Sequence, residues 1–224
     1  MKRSIFVLIV SLVAAFTVSG QAREITNGEF WRQYRAAVEK PFEISKRVTT
    51  KEEYFENGKL SDTTETVTEF LKPDKQHFVE TYKSEKSSRK TELIQIGTSF
   101  YCRTDNADWK ESDRWCANLK LRSLPAGVSY AYTVQETKLN KQAATLYEEY
   151  ITYKSEYWEG KGKIGLLYFR DKYWVSHEGF ILRREMEIGF VESKEVLSKD
   201  LDVYEYDLKD IKIEAPVVAV KKKS

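Results

Sequence analysis

The spacing of apolar residues changes twice along this chain. Residues 5–18 (IFVLIVSLVAAFTV) are apolar almost without a break. Phe30, Trp31, Tyr34, Ala37 and Val38 then fall on one stripe at helical spacing. Thr26-Asn27-Gly28-Glu29, just ahead of that stripe, has the form of a capping box, in which threonine and glutamate side chains satisfy each other's backbone donors. Pro41 ends the run, because proline disfavours the helical conformation of the residue before it. The spacing predicts a helix over 27–40 with one aromatic face.

After Pro41 the period becomes two. Phe42, Ile44, Val48 and Tyr54 share one side of a predicted strand, and Asn57-Gly58 is a strong hairpin turn because both central positions favour positive φ. A run with Thr63, Thr64, Thr66 and Thr68 follows, ending at Pro73-Asp74. Further strands are predicted at 76–83, with Phe78 and Tyr82 in phase, at 91–96 and at 99–103 across Gly97-Thr98. Asp105 to Asp108 reads as a loop leading to Trp109, and 112–122 as a short helix. In the second half, strands are predicted at 130–138 and 142–153 across Asn140-Lys141, at 163–170, 172–176, 180–190 and 196–207. Ile211-Lys212-Ile213 closes the series before Pro216. Roughly ten sequential strands with short turns imply a mainly β (α+β) chain built as an antiparallel meander. An open sheet of that size curls, so the expected form is an incomplete β-barrel of about 10–11 strands. The aromatic helix and short helices would lie on its concave face.

The first segment changes the picture of where the protein works. Lys2 and Arg3, the apolar run and the small residues Ser19-Gly20-Gln21-Ala22 stand in the order of a secretory signal peptide. The run falls short of the roughly 20 residues that span a bilayer. The expected cut follows Ala22, with a cut after Gly20 as the alternative. That gives a signal peptide at 1–22, one domain at 23–217 and a basic tail at 218–224, in a soluble periplasmic protein. Removing residues 1–22 takes away Lys2 and Arg3 and no acid, leaving 35 basic against 35 acidic residues. Nucleic-acid binding needs a surplus basic face, so that class is set aside, and Lys221-Lys222-Lys223 reads as a solvated end. Cys102 and Cys116 are the two cysteines; in an oxidising compartment they are expected to form a disulfide, worth about 3 kcal/mol by loop entropy, against two reduced buried thiols.

Chemistry is sparse. GKGKIG at 160–165 fits the glycine pattern of a dinucleotide site, but the strand-like Leu166-Leu167-Tyr168-Phe169 follows where a helix is needed, so it reads as a turn. His77 and His177 read as isolated surface residues with no metal-ligand spacing. There is no G-x-S-x-G elbow. The acids, as in Glu148-Glu149 and Glu185/Glu187, alternate on strands as a solvated face. No enzyme, cofactor or metal is expected.

Two stretches carry a family likeness. FLKPDKQHFVETYKS…TELIQIGTSFYCRTDNADW resembles a strand series opened by a KPD turn and closed by a loop ending in Trp. YWVSHEGFILRREMEIG…YEYDLKDIKIEAPV resembles the closing strands of the LolA/LolB/LppX-like periplasmic carriers of lipoproteins and lipids. Trp174, Gly179, Arg183, Arg184, Glu185, Tyr204, Tyr206, Ile211, Ile213 and Pro216 stand at the motif positions, and the resemblance spans about residues 30–216. It implies an unclosed barrel, plugged by helices, that shields acyl chains of a lipid or lipoprotein as a carrier or chaperone in lipoprotein localisation. Two departures stand out: no cysteine is available for lipid anchoring near the start, and the Cys102/Cys116 pair is not a general family feature. No lid arginine or docking loop of the family matches a position here.

Strand parity and position nominate Trp31, Tyr34, Phe42, Ile44, Phe78, Tyr82, Ile94, Ile96, Leu166, Tyr168, Leu182 and Met186 as cavity lining, with ordinary core as the competing reading of the same residues. The expectation is a monomeric, non-enzymatic carrier of acyl chains. The alternative is an envelope-stress sensor or interaction module, similar to RseB, whose partner is an envelope protein.

Overall fold

A computed structural model of the protein describes residues 20–40, 44–112, 127–155 and 165–218. The signal segment up to Ser19, Phe42, Cys116, most of the 112–122 stretch, residues 160–164 of GKGKIG and the lysine run lie outside the described residues. Among the described residues there is one helix, α1 (Asn27–Glu39), and no helix long and apolar enough to cross a membrane, which says nothing of a β-barrel. The capping box is half formed: Thr26 Oγ1 accepts from the Glu29 N–H at 3.1 Å, while the Glu29 carboxylate pairs with Arg23 instead.

Twelve strands follow the alternating pattern. They are β1 (Arg23–Glu24), β2 (Lys46–Glu56), β3 (Lys59–Leu71), β4 (Lys75–Ser84), β5 (Ser88–Ile96), β6 (Ser99–Thr104), β7 (Lys110–Ser112), β8 (Ser129–Leu139), β9 (Gln142–Ser155), β10 (Gly165–Ser176), β11 (Ile181–Phe190) and β12 (Val196–Tyr206). The predicted turns form as expected where positive φ is needed: Asn57 and Gly58 sit at 53° and 72°, and Asn140 and Lys141 at 51° and 72°.

All twelve strands join one antiparallel sheet in the order β1-β8-β9-β10-β11-β12-β2-β3-β4-β5-β6-β7. This corrects the simple sequential meander. Two meanders, β2–β7 and β8–β12, are joined by β12 pairing β2 over nine residue pairs, from Ser198↔Tyr54 to Tyr206↔Lys46. β7 and β8, neighbours in the chain, lie near opposite edges. The sheet is open, since the outer strands β1 and β7 are paired on one side only. Local turn signals specify hairpins, whereas the partner across a seam is chosen by the surface that both halves bury together.

Four further expectations are corrected. Among the described residues there are twelve strands where about 10–11 were expected, the additional pieces being the short edge strands β1 and β7. Ser112, expected to open a helix, ends β7, which pairs with β6 through Phe100↔Ser112. The two strands expected at 163–170 and 172–176 are one, because Asp171 is in register with Glu149 and Met186 rather than at a break. Ile211-Lys212-Ile213 is irregular, not strand: Ile211 and Ile213 are buried on Ile94, flanked by Leu71, Ile96, Tyr101 and Trp109. Side-chain burial there satisfies the alternating pattern without a ladder. Ser45 Oγ donates to the Leu208 carbonyl, and Lys75 Nζ donates to that of Ile213.

A bulge at Ile188/Gly189 is needed where β11 turns into β12. A Cβ at Gly189 would lie 2.6 Å from the Glu195 carbonyl and 2.8 Å from the Tyr168 ring. Gly189→Ala is expected to cost about 1–3 kcal/mol of stability by overpacking, read as a lowered urea midpoint with an unchanged slope.

Candidate functional site

Directly opposed residues in neighbouring strands point to the same face, so the register sorts side chains onto two faces. One row runs Tyr173, Arg184, Asp202, Thr50, Thr66 and Glu80 across β10, β11, β12, β2, β3 and β4. The adjacent row runs Glu149, Asp171, Met186, Asp200, Glu52, Thr64 and Tyr82. Both belong to the face that carries α1, here the inner face.

α1 docks by its aromatic stripe. Phe30 is fully buried and packs with Tyr132 at 5.0 Å, Tyr173 at 6.1 Å and Trp31 at 5.5 Å between ring centroids; Tyr34 stands 4.8 Å from Tyr173. Ala37, Ile181, Val175, Tyr147 and Tyr204 complete this cluster. Burying a Phe side chain is worth about 1.5–3 kcal/mol, so the dock is anchored chiefly at Phe30. A second apolar cluster occupies the other end of the same face: Tyr153, Leu167, Phe169 and Phe190, with Ile151, Met186, Ile188 and Leu197 beside them.

Between the two clusters runs a polar belt. Asp171, 1% exposed, takes three hydrogen bonds from Arg184 at 2.7–3.2 Å and one from the Tyr173 hydroxyl at 2.5 Å. Burial disfavours the Arg184 charge, but the hydrogen bonds and charge of Asp171 outweigh it and hold the guanidinium protonated. Burial raises the Tyr173 hydroxyl, as does the neighbouring Asp171 charge. Glu149 and Asp202 are both raised by burial, and Asp202 accepts from Thr50 at 2.7 Å. Glu149 therefore departs from the solvated face expected of it: it is 4% exposed and faces inward. The belt holds no set of three or more metal-ligating side chains, and none occurs elsewhere among the described residues.

The nominated cavity residues divide between the faces. Trp31 and Tyr34 lie on α1 over the inner face; Phe78, Tyr82 and Met186 point to it from the sheet, with Phe78 buried and the Tyr82 hydroxyl donating to Asp62 at 2.7 Å. Ile94, Ile96, Leu166 and Tyr168 alternate onto the opposite face; Ile94 and Ile96 meet the C-terminal segment there, and the Tyr168 hydroxyl donates to Glu187 at 2.6 Å. Leu182 is the extra residue of the bulge opposite Trp174 and Val175. Ile44 precedes β2 and lines a small groove with Phe70 and Pro73. Phe42 is outside the described residues. Parity counting passes over Phe169, Asp171 and Tyr173 on β10, where the opposite phase is nominated, and over Arg184 on β11, which it treats as polar.

The opposite face is charged. A groove of about 330 Å³ is lined by Lys51, Glu53, Arg170, Lys172, Arg183 and Lys199 among others, and most of these cations have carboxylate partners. Further along, His77 corrects the reading of an isolated surface histidine: Nε2 lies 2.9 Å from Glu92 and Nδ1 3.5 Å from Glu69, whose other partners are Arg103 and Arg47. Cys102, on β6, is not a free thiol; Cys116 is outside the described residues.

No protein-family model matches the chain, and no curated protein matches it. Among solved structures, the crystal structure of lipoprotein LppX of Mycobacterium tuberculosis is similar over 84% of this chain and 100% of its own, with 9% identity and a TM-score of 0.44. LprF from Mycobacterium bovis is similar over 84% of this chain and 97% of its own, with 12% identity and a TM-score of 0.43. The chemistry of the site rests on this chain's own residues.

Phe30→Ala is expected to cost about 3–5 kcal/mol, the cost of a large cavity in packed core. Trp31→Ala, at the half-buried rim of the stripe, should cost less. Arg184→Met strands the Asp171 carboxylate and should cost about 3 kcal/mol, whereas the double change Arg184→Met/Asp171→Leu should recover much of that loss. Chemical denaturation of the four variants checks the order.

Proposed function

We propose that the protein is a non-enzymatic carrier that shields the acyl chains of a lipid or lipoprotein on the inner face of its sheet, with the sheet wrapped around them as an incomplete barrel. The observation that carries this reading is the arrangement of that face: two apolar clusters separated by a belt of charged and hydroxyl groups, with one cluster roofed by an aromatic helix. An amphiphile needs apolar surface for its chains, each CH₂ removed from water being worth about 0.8 kcal/mol, and polar partners for its head. On the outer face ion pairs run along β2 and β9–β12, and the apolar Ile94 and Ile96 are taken up by the C-terminal segment.

Trp31, Tyr34, Phe78, Tyr82 and Met186 are the nominated residues that the inner face supports as ligand contacts. Native mass spectrometry of protein purified from cell envelopes should show bound lipid at about one per chain, and a fluorescent fatty acid should bind and be displaced by natural lipid. Protein free of lipid that also ignores the fluorescent probe would sink the carrier. Trp31→Ala should lower affinity for that probe more than it lowers stability. A large stability loss with unchanged probe binding would return Trp31 to the ordinary core.

The same reading includes export, signal-peptide cleavage and a Cys102–Cys116 bridge in a periplasmic monomer. The intact secreted protein should begin at Arg23 and weigh two hydrogens less than its reduced form. Rapid alkylation of both thiols in the native, unreduced protein would overturn the bridge.

A further inference from the structure

Among the described residues the two meanders are hydrogen-bonded strand to strand at the β12–β2 seam, and the faces of that seam are built differently. On the outer face the opposed pairs are Lys199↔Glu53 and Leu201↔Lys51, a cation against an acid and an apolar residue against a lysine stem. On the inner face Asp200 stands directly opposite Glu52, with Asp202 and Thr50 in the next row. Like charges directly opposed across an antiparallel pair destabilise it.

The surroundings supply little compensation. Arg184 of β11 is the cation of this region and is committed to Asp171 of β10, with Asp202 at 3.8 Å. Glu52 accepts from its own strand's Tyr54 hydroxyl at 2.8 Å, and Asp202 accepts from Thr50. On the far sides of the pair, Met186 of β11 stands opposite Asp200 and Thr64 of β3 opposite Glu52, neither charged. Asp62 of β3 lies one pair further along and is held by Tyr82. Tyr204 continues β12 toward α1. Among the described residues no cation pairs with Asp200 or Glu52.

We propose that the β12–β2 seam is a pH-sensitive joint, closed while the Asp200 carboxyl holds a proton and loosened when that proton leaves two carboxylates opposed across the seam. Burial, then repulsion from Glu52 and Asp202, pushes the Asp200 carboxyl up to about 7, in keeping with this geometry. Its folded value lies above the ordinary aspartate value, so the folded chain holds a proton that the unfolded chain has lost. The stability from this group is therefore fully present below about pH 4 and is lost as pH rises through about 7. Because both carboxylates belong to the strands that pair the half-sheets among the described residues, the loss falls on that seam rather than evenly over the sheet. None of this depends on the carrier reading, and its test contains no ligand.

Hydrogen exchange of the full chain, read by mass spectrometry at pH 6 and pH 8.5 and corrected for the intrinsic effect of pH, checks the joint. Peptides from β2 and β12 should exchange about tenfold faster at pH 8.5 relative to peptides from β4 and β5, the factor carried by one unit of pKa displacement. Asp200→Asn, nearly isosteric, should erase that difference, and Glu52→Gln should reduce it. Glu53→Gln, on the outer face of the same seam, should leave it intact. Equal corrected exchange at both pH values in the natural protein would overturn the joint, as would a difference that survives in both Asp200→Asn and Glu52→Gln.

Discussion

The pairing of β12 with β2 makes this molecule one sheet. Each meander is a run of hairpins that its own turns specify, and each alone would leave an apolar face and a long unpaired edge in water. Nine residue pairs across a single seam remove both edges at once. They also bring inner-face residues more than a hundred positions apart into one continuous surface, as when Thr50 comes to lie beside Asp202. Phe78 and Tyr82 join that surface only through the seam, whereas both apolar clusters and the Asp171–Arg184 bridge lie within α1 and β8–β12.

The surface is not uniformly apolar. Along β10 the inward residues run Leu167, Phe169, Asp171, Tyr173 and Val175, so a buried carboxylate interrupts an otherwise hydrophobic line. A carboxylate held at 1% exposure requires full satisfaction, and Arg184 together with Tyr173 provides it. Such a bridge is weak support for stability when compared with apolar packing, but it divides the face into two apolar regions with a polar strip between them. For a carrier of amphiphiles that division is useful; for a plain core it is a cost.

Much of the local structure could be read directly from the residues. Thr26 caps the helix, the Phe30 stripe faces the sheet, and Asn57-Gly58 and Asn140-Lys141 turn the chain, because each signal acts within a few positions. Strand phase was less secure. In the run Leu166-Leu167-Tyr168-Phe169 both phases are apolar, so parity nominates Leu166 and Tyr168, which alternate onto the outer face, and leaves out Phe169. Glu149 looked like one of many solvated acids because nothing local marks the strand position as inward.

What the sequence by itself determined was periodicity, turns, one amphipathic helix and an apolar run at residues 5–18, all consequences of side-chain chemistry over short distances. Which strand lies beside which, which face of each becomes interior and where charges meet were decided only by tertiary structure. Those choices depend on surfaces buried jointly by distant segments. Asp200 and Glu52 are unremarkable acids in their own strands and become an electrostatic problem only when β12 is laid against β2.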